Sequence, residues 1–282
     1  MNWLFLTLLS VLFASIASIL QRVLMKDEKS NPYSYAIVFH LFLGFLNLGF
    51  AILYGSHFSL RSGNFFLLLL ASGLWGACSI FLFKSLQLIE ASEKTILSSL
   101  NVVFTIIASV IFLDEVFSGK KIFGTVIILA STLLVVSLKN VFKLNRGVVY
   151  VFIAAFFAGL ALVVDSANVQ HYNAIAYNTF QNFLTGFIIL AFAPKALQQW
   201  RQFVQPSFLK RMLPLGIFST AQGILYLTAL TYGGNTAQVG TIRQASTIVT
   251  VFLAIIFLKE RNNLWRKLLA AVLVTLGVFL LH

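Results

Sequence analysis

The sequence predicts an all-α integral membrane protein whose ten transmembrane helices form two inverted five-helix repeats. Three observations predict it. Of 282 residues, 59% are hydrophobic and only 10% charged, whereas soluble domains carry about 25% charged residues. Most of the chain divides into stretches of roughly 20 apolar residues, the length that crosses a bilayer as a helix. The second half also repeats the pattern of the first.

The spans are expected at about 3–24, 33–54, 64–84, 94–113, 120–138, 147–165, 174–193, 211–231, 238–258 and 264–281. In lipid the backbone must satisfy its own hydrogen bonds, so helices are the default, and no alternating strand pattern competes. The first span lacks a basic n-region and outruns a signal-peptide core. It is expected to stay as a membrane helix, with no soluble tail at either end. Turn and polar signals separate the spans: Lys26-Asp27-Glu28-Lys29-Ser30-Asn31-Pro32, Tyr54-Gly55-Ser56-His57 and Tyr232-Gly233-Gly234-Asn235. The longest loop is expected at 194–210, marked by Pro194 and Pro206. Small residues such as Ala154, Ala158 and Ala161 allow close helix approach. Phe and Leu runs face lipid or core.

Phe112-Leu113-Asp114-Glu115 aligns with Phe257-Leu258-Lys259-Glu260 at an offset of 145, which also matches Thr105 to Thr250 and Ile111 to Ile256. Phe39-His40-Leu41-Phe42-Leu43-Gly44-Phe45 resembles Gln181-Asn182-Phe183-Leu184-Thr185-Gly186-Phe187 at an offset of 142. The repeats are therefore placed at 1–139 and 146–282. An odd number of spans per repeat turns the second copy upside down. Many secondary transporters have this build, with a site near the midplane between the halves.

Phe81-Leu82-Phe83-Lys84-Ser85-Leu86-Gln87-Leu88-Ile89-Glu90-Ala91-Ser92, Asn101-Val102-Val103-Phe104-Thr105 and the Asp114-Glu115 ending resemble the EamA-type domain of the drug/metabolite transporter superfamily. Tyr226-Leu227-Thr228-Ala229-Leu230-Thr231-Tyr232, Ile248-Val249-Thr250 and the Lys259-Glu260 ending form the second copy. The resemblance covers the whole chain and implies fold and transport class more than substrate. The family often has Gly before the helix-ending Glu, where this chain has Asp114 and Lys259. It often has Pro where this chain has Val102, a loss that implies straighter fourth and ninth helices. Only the helix-end role carries over to Glu115 and Glu260.

Polar groups in hydrocarbon are functional candidates, because each needs a partner or water. Arg243 lies about seven residues into the ninth span, about 10 Å deep at 1.5 Å per residue. Its first-repeat counterpart is Ser98, so the fold does not demand the charge. A guanidinium there suits a carboxylate-bearing substrate; a snorkelling Arg or an ion pair is the plainer alternative. Asp165, at the end of the sixth span, is the expected ion-pair partner. Substrate contacts are also expected among Gln244, Gln222, Tyr226, Trp75, Asn101, His40, Asn178 and Asn182. Helical spacing puts Asn178 with Asn182, and Gln222 with Tyr226, on shared faces. Interhelical hydrogen bonding is the ordinary use of such residues. His40 has the side chain whose unperturbed pKa suits proton shuttling, although a lone His is more often a packing residue.

No acidic residue lies mid-span. The related small multidrug resistance proteins use a membrane-embedded Glu for protons and cationic drugs, and this chain has no match for it. The expected activity is thus a secondary transporter or facilitator moving amino-acid-like, carboxylate-bearing or zwitterionic solutes by alternating access. A flippase for a lipid-linked headgroup is the alternative, and an intramembrane enzyme a weaker one.

Catalysis is not expected: the four His residues are scattered and no carboxylates pair on one face near midplane. No nucleotide-binding loop appears, and neither a metal nor a cofactor is expected. Cys78 stands alone, so no intramolecular disulfide forms. The net charge of +12 sits in short runs between apolar spans, as headgroup anchors rather than a nucleic-acid surface. Expected partners are the bilayer and a small-molecule substrate, the protein being a monomer or homodimer in a prokaryotic plasma membrane. Alternate loops carry 16 Lys and Arg against 3 on the other side. The positive-inside rule then puts both termini outside, whereas the family resemblance implies both inside.

Overall fold

The computed structural model describes residues 3–25, 31–53, 64–113, 119–135, 145–168, 171–231, 236–260 and 262–281. Among these residues the structure is helical, without strands. In the first half lie α1 (Trp3–Met25), α2 (Pro32–Leu53), α3 (Phe65–Leu88), α4 (Ala91–Ser98), α5 (Leu100–Leu113) and α6 (Gly119–Val135). The second half has α7 (Arg146–Asn168), α8 (Ala174–Phe192), a 3-10 helix (Pro194–Gln202), α9 (Pro206–Thr231), α10 (Thr236–Phe257) and α11 (Leu264–Leu281). Among the described residues, five helices are long and apolar enough to cross a membrane by themselves: Trp3–Met25, Pro32–Leu53, Phe65–Leu88, Arg146–Asp165 and Ile175–Phe192. Their outer faces carry large apolar side chains such as Phe45, Phe66 and Phe187.

Local chemistry starts several helices close to the expected span boundaries. Asn64 Oδ1 accepts from the N–H groups of Phe66 and Leu67, and Asn173 Oδ1 from those of Ile175 and Ala176. These caps occupy donors that a helix start leaves orphaned. Asn31 caps α2 in the same way, with Pro32 at the first helical position.

The packing is that of two like halves. Helix α3 lies along α7, and its counterpart α9 lies along α1; α2 packs on α8, and α6 on α11. Exchanging the halves maps this set of contacts onto itself. The α2–α8 seam shows it at atomic scale. A Cβ on Gly44 would stand 2.8 Å from the Phe183 ring, and one on Gly186 would stand 2.9 Å from the Leu41 side chain. Positions 41 and 44 correspond to 183 and 186, so each glycine admits the counterpart's neighbour.

Two expectations need correction. The fourth span is not one straight helix: it breaks at Ser99 into α4 and α5, while α10 runs unbroken. The Ser99 N–H and Oγ both turn back to the Ile96 carbonyl, the N–H at 3.2 Å and the Oγ at 2.5 Å. This local bonding competes with the helix ladder, so losing a proline did not straighten the segment. The stretch 194–210 is also more ordered than a loop. It holds the 3-10 helix and the first turn of α9, and Phe203 and Phe208 pack there against Tyr35 at centroid distances of 5.9 and 6.2 Å.

Candidate functional site

Between the two halves lies a cavity of about 350 Å³, at the small end of ligand cavities (roughly 300–1,000 Å³). Helices α1 to α4 line it from the first half, and α8 and α9 from the second. Phe39, Leu43, Trp75, Leu82 and Phe83 form apolar wall, with amides and hydroxyls such as Asn47, Ser79, Asn178 and Asn182 set among them.

One continuous polar chain crosses the wall. Asn178 Nδ2 donates to Asn47 Oδ1 at 3.2 Å. Asn182 Nδ2 donates to the Asn178 carbonyl at 2.8 Å and to its Oδ1 at 3.0 Å. Asn182 Oδ1 then meets His40 Nδ1 at 3.0 Å, and His40 Nε2 meets Ser79 Oγ at 2.7 Å. An amide oxygen only accepts, so His40 Nδ1 carries the proton; in the neutral ring, Nε2 accepts from the Ser79 hydroxyl. Asn178 and Asn182 do share a face, and His40 is tied into the wall on both nitrogens.

Arg243 stands behind the wall. Its Nη2 donates to Gln222 Oε1 at 2.9 Å, and its guanidinium carbon lies 4.1 Å over the Tyr226 ring centroid. Gln222 lines the cavity, whereas Arg243 and Tyr226 do not. The expected Asp165–Arg243 pair is replaced by other partners. Asp165 accepts from Tyr177 OH at 2.6 Å, Trp75 Nε1 at 2.7 Å and Gln181 Nε2 at 2.7 Å. Three neutral donors on α3 and α8 satisfy the carboxylate locally, so no distant cation is required. Asn101 also lies apart from the cavity: its carbonyl accepts from Thr105 Oγ1 at 2.8 Å, in the α5–α7 seam. The Gln244 side chain, Asp114 and Glu115 lie outside the described residues.

Sequence reasoning missed Lys94. It was counted among loop charges, but it lines the cavity and is 8% exposed. Among the described residues Nζ has no hydrogen-bond or ion-pair partner. The only sequence signal was its position after Glu90 and Glu93 at the edge of an apolar span. Arg22 and Lys267 likewise leave the headgroup count. Arg22 Nη1 donates to the Leu86 carbonyl, and Lys267, 1% exposed, pairs with Glu90.

Glu260 explains its helix-end role. Its carboxylate accepts from the Ala91 N–H at 2.9 Å, the Ser92 N–H at 3.0 Å and Ser92 Oγ at 2.6 Å. The end of α10 thereby caps the start of α4, where the helix dipole favours an anion. Among the described residues no group of His, Cys, Asp and Glu could hold a metal.

Two like halves of apolar helices around a cavity lined in part by amides define a multi-pass integral membrane protein of the internally duplicated kind. The chain belongs to the EamA-like transporter family, which matches residues 1–137 and again 145–282, and so to the drug/metabolite transporter superfamily. A solved structure described only as "Crystal structure of protein" is similar in fold, with a TM-score of 0.64 at 16% identity, covering 98% of this chain and 94% of that one. No match was found among curated proteins.

Proposed function

We propose that the protein is a secondary carrier moving small polar metabolites, amino-acid-like or otherwise carboxylate-bearing, by alternating access. In this reading ten helices span the membrane as two inverted five-helix repeats, 1–139 and 146–282. The broken α4–α5 counts as one span and α6 and α9 to α11 join the five apolar helices. The repeats are the units that rock about the cavity, in the plasma membrane of a prokaryote. The protein works without cofactor or metal, as a monomer or homodimer, and is not an enzyme.

The observation that carries the reading is the cavity itself: a space between the two halves of an apolar bundle into which six amide side chains are gathered. Such groups are costly in hydrocarbon, and a transit path for polar solutes explains their concentration there. His40, Trp75, Asn178, Asn182 and Gln222 present the substrate-facing surface. Arg243 and Tyr226 act one layer back by orienting Gln222.

Uptake of radiolabelled carboxylates and amino acids into proteoliposomes tests this. Saturable uptake above protein-free vesicles is expected, reduced in Asn182→Leu. Vesicles that move none of these solutes, with a purified protein that instead hydrolyses a lipid or peptide, would overturn it.

A further inference from the structure

The cavity wall holds one ammonium-bearing side chain, and among the described residues no carboxylate in the lining faces it. Lys94 is more than nine-tenths buried and lines the cavity without a partner among the described residues. No Asp or Glu lines the wall with it. Asp165, a carboxylate behind the wall, is already engaged by Tyr177, Trp75 and Gln181. We propose that Lys94 Nζ is the anion seat of this cavity and that the transported solute is a small organic monoanion, a monocarboxylate with an apolar body. The inference deepens the carrier reading above and rests on it for the word "transported".

The helix that bears Lys94 is held in place from its N-terminus. Helix α4 spans eight residues, too short to be stable alone, and the Glu260 carboxylate fixes its first two N–H groups. Lys94 stands three positions into the helix, so its ammonium is presented from a clamped base. A buried charge is unfavourable until it is paired and hydrogen-bonded, and a carboxylate supplies both through a charge-assisted bond.

The amides nearby are polarised from behind. Arg243 occupies Gln222 Oε1, which leaves Nε2, a donor, as the free end of that side chain. Asp165 occupies Gln181 Nε2, which leaves Oε1, an acceptor. The asparagine–His40–Ser79 chain is bonded within itself, so it shapes the substrate-facing wall without adding a charge. The groups left to a ligand are the Lys94 ammonium, the Gln222 donor and the Gln181 acceptor, with the Gln21 amide and the Ser219 hydroxyl also in the lining, beside Phe39, Trp75 and Phe83. Charge decides between ligand classes. A monoanion leaves the filled cavity neutral, a zwitterion leaves the Lys94 charge uncompensated overall, and a cation adds repulsion.

The test is equilibrium binding to the full-length purified protein by titration calorimetry. The probes are three of matched shape: phenylpropionate, phenylalanine and phenethylamine. Phenylpropionate is expected to bind best, phenylalanine several-fold more weakly, and phenethylamine not measurably. Lys94→Gln should lower phenylpropionate affinity about tenfold or more, the worth of a charge-assisted hydrogen bond, and Lys94→Arg should keep the anion preference. The rank order in the unmodified protein stands even if Lys94→Gln fails to fold. No binding by any probe, no preference for the anion, or unchanged affinity in a folded Lys94→Gln protein overturns the proposal. Proteoliposome flux separates the two readings. Lys94-dependent binding without flux of the same acid retires the carrier and keeps the site; flux indifferent to Lys94→Gln retires the site and keeps the carrier.

Discussion

Lys267 is 1% exposed and Lys94 is 8% exposed, and both are ammonium groups drawn out of water into a helical bundle. Around Lys267 the protein supplies the counter-charge: Glu90 pairs with it, and Asn262 Nδ2 donates to the same carboxylate's other oxygen at 3.1 Å. Glu260, close by, is saturated by α4. Around Lys94 the protein supplies a cavity. The Lys267 region ties the end of one repeat to the other and has no spare valence for a ligand. The Lys94 region leaves its charge unspent. Burial alone does not separate structural charges from functional ones in this molecule; the partner inventory does.

The comparison breaks first if the two lysines respond alike to removal of charge. Lys267→Met leaves Glu90 without its cation, and losing one partner of a buried pair costs about 3–5 kcal/mol. Chemical unfolding in detergent should show a loss near the lower end of that range, because Glu90 is partly exposed. The double change Lys267→Met with Glu90→Gln should recover part of it. Additive losses in that cycle would remove the pair from the argument. Glu260→Ala comes next. It frees two N–H groups and a hydroxyl at the start of α4, each leaving a desolvation penalty of about 1–3 kcal/mol where water cannot reach. The expected loss is about 2 kcal/mol, with weakened ligand binding because Lys94 loses its clamp. Lys94→Met should have the opposite sign. It removes an unpaired buried charge and fills the space with a side chain of similar length, so unfolding stability should rise by about 1 kcal/mol. A loss comparable to that of Lys267→Met would mean Lys94 has a structural partner.

Much of the fold was legible because hydropathy and turn chemistry act locally. Asn31-Pro32, Asn64 and Asn173 mark helix starts that the structure caps with those side chains. The break at Ser99 was not legible. Leu97, Leu100 and Val103 keep the stretch apolar across it, and a serine bonding back to the Ile96 carbonyl leaves no trace in hydropathy. The candidate site was half legible. His40, Trp75, Asn178, Asn182 and Gln222 were found as polar groups at membrane depth, and all five line the cavity. Asp165 was given the wrong partner because charge was matched to charge, whereas Trp75, Tyr177 and Gln181 satisfy it as neutral donors. Lys94 falls among the loop charges because it stands at the edge of the fourth apolar span. Only three-dimensional packing reveals that α4 turns it inward.

The smallest expected effect lies at the join between the two regions. Helix α10 ends at Phe257, the Leu258 N–H returns to the Ala254 carbonyl at 3.0 Å, and Lys259 follows with φ 56°. That left-handed turn brings the Glu260 N–H back toward the same carbonyl at 3.3 Å and swings its carboxylate onto α4. A side chain in this conformation costs about 1–2 kcal/mol, and glycine carries no such penalty. Lys259→Gly should therefore stabilise the folded protein, but by less than about 1 kcal/mol, because glycine also gains more freedom when unfolded. Thermal unfolding in detergent should detect the rise, and binding of phenylpropionate should stay unchanged, since the change leaves Glu260, α4 and Lys94 where they are. If Lys259→Gly altered that affinity as much as Glu260→Ala, the Lys259 charge itself would be reaching the cavity. The contrast between a saturated cluster and a single unspent lysine would then have to be redrawn.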